Sequence, residues 1–207
     1  ATTVFVSGIV FLIFLAAVLM WVFFQLNQMS SGSLIRSQYK IMCYLGSISC
    51  CNEYGTMLDD GKYGSQDKAE ARKYYDKACE KGGAMSCYNL GMMYDLGQGG
   101  PENNSEAAKY FKIACERDDM DGCVMYGKML DNGEGVDQNK IEACAKYLLA
   151  CDRDHALGCA NYSASLNNGD CGENNPSKAC KIYKKSCELG VKMGCEKIPS
   201  CTENLQL

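Results

Sequence analysis

Cysteine is the residue type with the most chemistry to offer in this chain. Fifteen occur in 207 residues, several times ordinary usage. A chain so rich in thiols holds metal, works as a redox pair or is cross-linked in an oxidising compartment. Ten of the cysteines fall on two columns. Cys43, Cys79, Cys115, Cys151 and Cys187 follow one another at intervals of 36, and Cys51, Cys87, Cys123, Cys159 and Cys195 repeat with the same 36. Each pair encloses seven residues, as in C-EKGGAMS-C from Cys79 to Cys87. No C-x-x-C occurs, so zinc-ribbon and thioredoxin-type geometries are missing. Disulfide cross-linking is the chemistry this spacing supports.

Other reactive groups are sparse. The one histidine, His155, leaves no room for most His-based metal sites or for a Ser-His-Asp arrangement. It could serve as a haem or metal ligand or as a lone acid–base group, but in C-DRDHALG-C it reads as an exposed turn residue. Glu80, Glu116, Asp152 and Glu188 form an acidic column after the first cysteines and read as a solvated edge. Lys73, Lys109 and Lys181 form a partial basic column, which reads first as a solvated face and second as the candidate surface for an acidic protein partner. Asn103-Asn104-Ser105 and Asn161-Tyr162-Ser163 match the glycosylation pattern, though Asn161 falls inside an expected helix. With 25 acidic against 21 basic residues and a net charge of -4, the chain has no electrostatic footprint for nucleic acid. No strand-borne glycine-rich phosphate loop is present. The residues predict no catalytic site, no cofactor, no metal and no small-molecule substrate.

The elements that position the cysteines follow from the other columns. Eight residues before each first cysteine stand Ile35, Ala71, Ala107, Ala143 and Ala179. Four before stand Tyr39, Tyr75, Phe111, Tyr147 and Tyr183, and one before stand Met42, Ala78, Ala114, Ala150 and Ser186. Offsets of 8, 4 and 1 share one helical face, so an amphipathic helix A precedes the first cysteine. A helix B follows the second, carrying Gly55, Gly91, Gly127 and Ser163 in mid-helix and stopping at Gly61, Gly97, Gly133 and Gly169. Mid-helix glycine costs about 1 kcal/mol against alanine, so a repeated one marks close helix approach. Starts of helix A are expected at Ser33, Ser65, Ser105 and Asn175-Pro176. Methionines such as Met92, Met93, Met125 and Met129 fill core gaps on helix B.

The unit is a helix–turn–helix of about 36 residues, repeated five times over 33–207 within a domain spanning 30–207. Its two cysteines face each other across the hairpin turn. Closing a nine-residue loop stabilises by roughly 2.6 kcal/mol on the chain-entropy estimate. In an antiparallel hairpin, opposite residues have a constant index sum. That sum sets Cys180 against Cys201. Cys171 misses it, but lies in the loop after helix B and could fold back to Cys144, with a Cys144–Cys180 bridge as the competitor. An odd total leaves one free thiol, expected at Cys50.

Residues 1–35 carry no charge. Val4 to Phe24, VFVSGIVFLIFLAAVLMWVFF, is long enough as a helix to span roughly 31 Å, and Trp21 lies near its end, where an interfacial aromatic belongs. The reading is one membrane span at 4–24 in an anchor of residues 1–29, with the cysteine-rich part on the oxidising side. Ala1, with no Met and no basic flank, fits a removed upstream segment.

Tyr88 to Gly100 (YNLGMMYDLGQGG) and Ala107 to Glu116 (AAKYFKIACE) resemble Sel1-like repeats, above all their cysteine-rich branch. That branch includes the Helicobacter cysteine-rich proteins and the mitochondrial Sel1-type cytochrome c oxidase assembly factor. The resemblance covers 33–207. It implies an all-α fold, a right-handed α-solenoid of five disulfide-stapled repeats that presents a surface to other proteins. Asp154 to Leu166 (DHALGCANYSASL) is similar to the oxidase factor. This similarity implies a non-catalytic accessory or assembly subunit of a respiratory complex, in the mitochondrial inner membrane and facing the intermembrane space. The bacterial branch implies instead an inner-membrane protein facing the periplasm. That branch also carries an association with penicillin binding and weak β-lactam hydrolysis, but no S-x-x-K here sits with the partner motifs of serine β-lactamases.

Overall fold

The computed structural model describes residues 31–203, and the side chains of 32–198. The apolar segment 4–24, and with it the predicted span and anchor, lies outside the described residues. Among the described residues no helix is long and apolar enough to cross a membrane.

Ten helices follow one another: α1 (Ser31–Tyr44), α2 (Ile48–Asp60), α3 (Lys68–Glu80), α4 (Ala84–Asp95), α5 (Asn104–Glu116), α6 (Met120–Asn132), α7 (Lys140–Asp152), α8 (Ala156–Asn168), α9 (Pro176–Glu188) and α10 (Lys192–Glu203). Odd-numbered helices are the A helices of the sequence reading and even-numbered ones the B helices. Each packs on the helix before it and the helix after it. Contacts between α4 and α6 and between α6 and α8 link successive B helices. The result is an all-helical repeat solenoid whose core is a row of small interfaces rather than one centre.

Helix A begins differently from the expectation. Its caps are Asp67, Asn103, Asn139 and Asn175, each accepting from the backbone N–H three residues on, at 2.9, 3.1, 3.0 and 3.0 Å. Neither Ser65 nor Ser105 is the cap, and Ser105 lies inside α5. An Asx side chain satisfies the otherwise orphaned N–H of the first turn, and the caps keep the 36-residue period. The Asn175-Pro176 start stands where expected.

Helix B ends where its glycines predict in three repeats, with left-handed caps at Gly61, Gly133 and Gly169; α4 is capped one residue before the expected Gly97, at Leu96. The mid-helix glycines sit under the aromatic column of the next repeat. A Cβ on Gly55 would lie 2.8 Å from the Tyr75 ring, one on Gly91 2.7 Å from Phe111, and one on Gly127 2.7 Å from Tyr147. Missing Cβ atoms therefore let each ring drop onto the preceding helix, where it is buried. In the fourth repeat Ser163 replaces glycine. Its buried Oγ donates to the carbonyls of Cys159 (2.8 Å) and Ala160 (2.9 Å), and Tyr183 hydrogen-bonds it from the next repeat.

Candidate functional site

The paired cysteines sit at the end of helix A and the start of helix B. The tight turn between them brings Cα atoms to 4.5 Å for Cys43–Cys51, 4.7 Å for Cys79–Cys87, 4.4 Å for Cys115–Cys123, 4.3 Å for Cys151–Cys159 and 4.7 Å for Cys187–Cys195. All five pairs are disulfides. Cys144 is joined to Cys171, at 5.5 Å between Cα atoms, rather than to Cys180. Cys180 is itself disulfide-bonded, and the side chain of Cys201 lies outside the described residues. Cys50 is a free, half-buried thiol. The pairs from Cys43 to Cys159 are buried, so solvent reaches little of their sulfur. Among the described residues, no three or more His, Cys, Asp or Glu side chains are grouped to hold a metal ion.

Cations brace these joints. Arg117 donates to the Cys79 carbonyl at 2.6 Å and lies 3.1 Å from Cys87 Sγ. Lys185 donates to the Cys151 carbonyl at 2.8 Å. Each cation adds a second donor to a carbonyl at a helix C-terminus that already accepts a backbone N–H from the turn, where positive charge is favourable.

His155 is not an exposed turn residue. It is the N-cap of α8: its Nδ1 accepts from the Gly158 N–H at 3.2 Å, and its Nε2 lies 3.0 Å from Asp121 Oδ1 of the preceding repeat. Only 23% of the side chain is exposed. An Nδ1 that accepts is unprotonated, so the cap selects the tautomer with hydrogen on Nε2, which then donates to Asp121. The equivalent position in the previous repeat is Asp119, which caps α6 through Gly122 at 2.8 Å and whose carboxyl is pushed up chiefly by burial. The histidine is thus the fourth repeat's version of a capping column.

Lys73 and Lys109 are exposed but engaged, paired with Glu70 and Glu106 at 3.0 Å each. The hydrogen bond and charge of Glu70 raise the Lys73 ammonium above its usual range. Lys181 is exposed on α9, and Ala145 interrupts the column in the fourth repeat. The acids Glu80, Glu116, Asp152 and Glu188 are all exposed. Of the two glycosylation patterns, Asn161 is half-buried in α8, and Asn103 is occupied as a cap.

A groove missed by the sequence reading recurs one repeat apart. Arg36, Ser37 and Lys40 face Tyr54 in a depression of about 250 Å³. Their counterparts Arg72, Lys73 and Asp76 face Tyr94 in one of about 290 Å³. Both arginines are fixed: Arg36 donates twice to the Ser65 carbonyl at 2.9 Å, and the Arg72 guanidinium lies 3.4 Å above the Tyr94 ring. Tyr94 in turn stacks on Tyr110, with centroids 5.5 Å apart. The 36-residue spacing of the two arginines was the available signal. Ser37 and Lys40 stand in S-x-x-K spacing, but Ser37 Oγ donates to the Ser33 carbonyl at 2.9 Å. The site is therefore a firm, ridged surface of aromatic rings and anchored arginines, suited to contact with a partner.

Comparison with known proteins agrees with the geometry. The Sel1 repeat family model matches residues 48–83, 84–119, 121–155 and 156–191. A protective antigen of uropathogenic Escherichia coli with an SLR fold superposes with a TM-score of 0.77 at 21% identity, over 80% of this chain and 36% of its own. The chain thus spans about a third of that protein. A Sel1 repeat protein from Oxalobacter formigenes gives 0.73 at 24% identity, over 81% and 71% of the two chains. Helicobacter pylori cysteine rich protein B gives 0.52 at 27%, over 63% and 94%. No curated protein is significantly similar in sequence. The family units begin at helix B, so the Cys79–Cys87, Cys115–Cys123 and Cys151–Cys159 bridges each join two consecutive units.

Proposed function

The chain belongs to the Sel1 repeat family, and from that premise we propose that it is a non-catalytic, membrane-tethered scaffold on the oxidising side of a membrane, an accessory or assembly subunit of an inner-membrane respiratory complex. The observation that carries this reading is the array itself. Stapled hairpins hold a ridged surface of aromatic rings and fixed cations in one shape, and a preorganised surface loses less ordering entropy when a partner docks. The apolar run 4–24 supports the tether, and the buried disulfides support an oxidising compartment. The similarity of Asp154 to Leu166 to the oxidase assembly factor supports the mitochondrial inner membrane, with the repeats in the intermembrane space.

A second placement has its own support. The solved relatives come from Escherichia coli, Oxalobacter formigenes and Helicobacter pylori, which favours the same scaffold role facing a bacterial periplasm. Native extraction from the source membrane, with separation of intact complexes and identification of co-migrating chains, tests both. Co-migration with respiratory-chain subunits is the expected result. Charge reversal at Lys73 and Lys109 together should weaken that association in a salt-sensitive way while leaving the thermal transition nearly unmoved, since exposed charges add little stability. Migration with envelope proteins alone selects the periplasmic placement, and migration alone refutes the scaffold role.

A further inference from the structure

The solenoid's first helix departs from the pattern that α3, α5 and α7 follow. In α3, α5 and α7 the face toward the preceding repeat carries two alanines and one ring, Ala71-Tyr75-Ala78 and its counterparts, all buried. Small residues there let two helices approach closely. On α1 the same three places hold Ile35, Tyr39 and Met42, and Met42 is 47% exposed where Ala78, Ala114 and Ala150 are 0%. Bulky side chains at both alanine places suit a fluid apolar neighbour better than a tightly packed helix. Helix α1 also lies outside all four matched family units.

Around this face the exposed apolar residues concentrate. Of the thirteen large hydrophobic side chains exposed in the described residues, six lie between Leu34 and Ile48, including Ile41 (58%), Tyr44 (81%) and Leu45 (72%). Leu34, Ile41 and Leu45 follow at i, i+7 and i+11, one row along the helix. The charged residues that line the adjoining groove are both positive. Helix α1 has no acidic residue, and Lys40 and Lys77 share a groove of about 250 Å³ with Ile41, Tyr44 and Tyr74. The Lys77 ammonium stands 5.8 Å from the Tyr44 ring. A row of apolar side chains, a tyrosine at its margin and lysines that can extend their heads outward is the chemistry of a bilayer interface.

We propose that the outer face of α1 and the turn after it rest in the interfacial layer of the bilayer, with Ile41, Tyr44 and Leu45 among the upper acyl chains and Lys40 and Lys77 against anionic phospholipid headgroups. This rests on the tethered reading above. The six residues between Phe24 and Ser31 reach at most roughly 20 Å, so the end of the apolar segment holds α1 near the surface. Docking there fixes the tilt of the whole array, which a flexible tether alone would leave free.

The sole tryptophan, Trp21, makes the two readings separable. The full chain is reconstituted into vesicles of phosphatidylcholine and phosphatidylglycerol whose acyl chains carry bromine, a contact quencher of indole. Quenching of Trp21 in the unaltered chain reports the tether. The Trp21→Phe/Tyr44→Trp variant then reports the face, and Trp21→Phe/Leu45→Trp repeats the measurement at a second site. The expected result is loss of most indole emission at both positions, greater for bromine near the headgroups than near the chain ends, and reduced when phosphatidylglycerol is omitted. Quenched Trp21 with an indole at position 44 that answers only to aqueous iodide leaves the tether standing and overturns the docking. An indole at 44 shielded from both quenchers means a protein or a second copy covers the face, which also overturns it. Quenching indifferent to phosphatidylglycerol removes the anionic-headgroup assignment, and an unquenched Trp21 removes the tether and the docking together.

Discussion

Gly91→Ala is the sharpest test of how the repeats stack. By helix propensity alone the change should stabilise α4 by about 1 kcal/mol. The structure sets a larger effect against it. The new Cβ would stand 2.7 Å from Phe111 Cε1 and 2.8 Å from Cδ1, whereas carbon atoms rest at about 3.5–4.0 Å. The ring must therefore retreat by about 1 Å, and Phe111 is wholly buried, with Tyr88 packed 5.9 Å away between centroids. Overfilling a packed core costs about 1–3 kcal/mol. The two effects together leave a net loss of up to about 2 kcal/mol. Denaturant titration of the oxidised protein, followed by far-UV circular dichroism, measures it. Phe111→Leu in the Gly91→Ala background should show strong non-additivity, because the smaller side chain vacates the space the methyl needs. A Gly91→Ala protein more stable than the parent by about 1 kcal/mol, the gain that propensity alone supplies, would refute the close-approach account of the glycine column.

Three further outcomes are expected. Replacing Cys115 and Cys123 together by alanine should cost about 2.6 kcal/mol on the chain-entropy estimate, and removing the Cys144–Cys171 bridge, which closes a longer loop, about 3.6 kcal/mol; equal losses in chemical denaturation would contradict a loop-entropy origin. His155→Ala should cost about 1 kcal/mol through the lost cap, while His155→Asn should recover most of it; the pair is compared by denaturation midpoint, and an alanine variant of parental stability would count against the capping role. Burial pushes the Tyr75 hydroxyl up to about 12, against a smaller opposite effect of its hydrogen bond to Thr56. The unfolded chain therefore loses this proton near pH 10 while the folded chain keeps it, and stability should fall between about pH 10 and 12; Tyr75→Phe should flatten that decline in alkaline unfolding curves.

The repeat was legible because spacing survives where local chemistry varies. Cys43–Cys51 and Cys151–Cys159 mark the same joint although the residues that the two pairs enclose match at no position, and the glycine and aromatic columns announced the B-to-A contact that Gly91 and Phe111 make. The caps of helix A were harder. Ser65 and Ser105 are sound capping residues by type, and only the backbone geometry shows that Asp67 and Asn103 take the role. His155 was misplaced for a related reason. A histidine is a rare cap, and the carboxylate that holds its other nitrogen is Asp121, a full repeat earlier in sequence. The groove at Arg36 and Arg72 was missed because neither arginine carries a motif. Each gains meaning only from its partner, the Ser65 carbonyl in one case and the Tyr94 ring in the other.

Two kinds of joint alternate along the array, and they divide the work of setting its shape. Every A-to-B joint is a disulfide across a short turn, with Cα separations confined to 4.3–4.7 Å. These joints are nearly identical, so they cannot make one repeat differ from the next. Each B-to-A joint is a packed contact whose members change: Gly55 with Tyr75, Gly91 with Phe111, Gly127 with Tyr147, and Ser163 with Tyr183. A serine in place of glycine adds two heavy atoms beneath the ring and a hydrogen bond to Tyr183, so the contact there differs from its glycine counterparts. Small rotations at such contacts accumulate along a solenoid into its curvature. The covalent joints therefore lend rigidity without specifying form, and the glycine–aromatic column specifies form. Because a docking partner meets the curvature of several repeats at once, substitutions in that buried column should alter partner fit even though none of its residues can touch the partner.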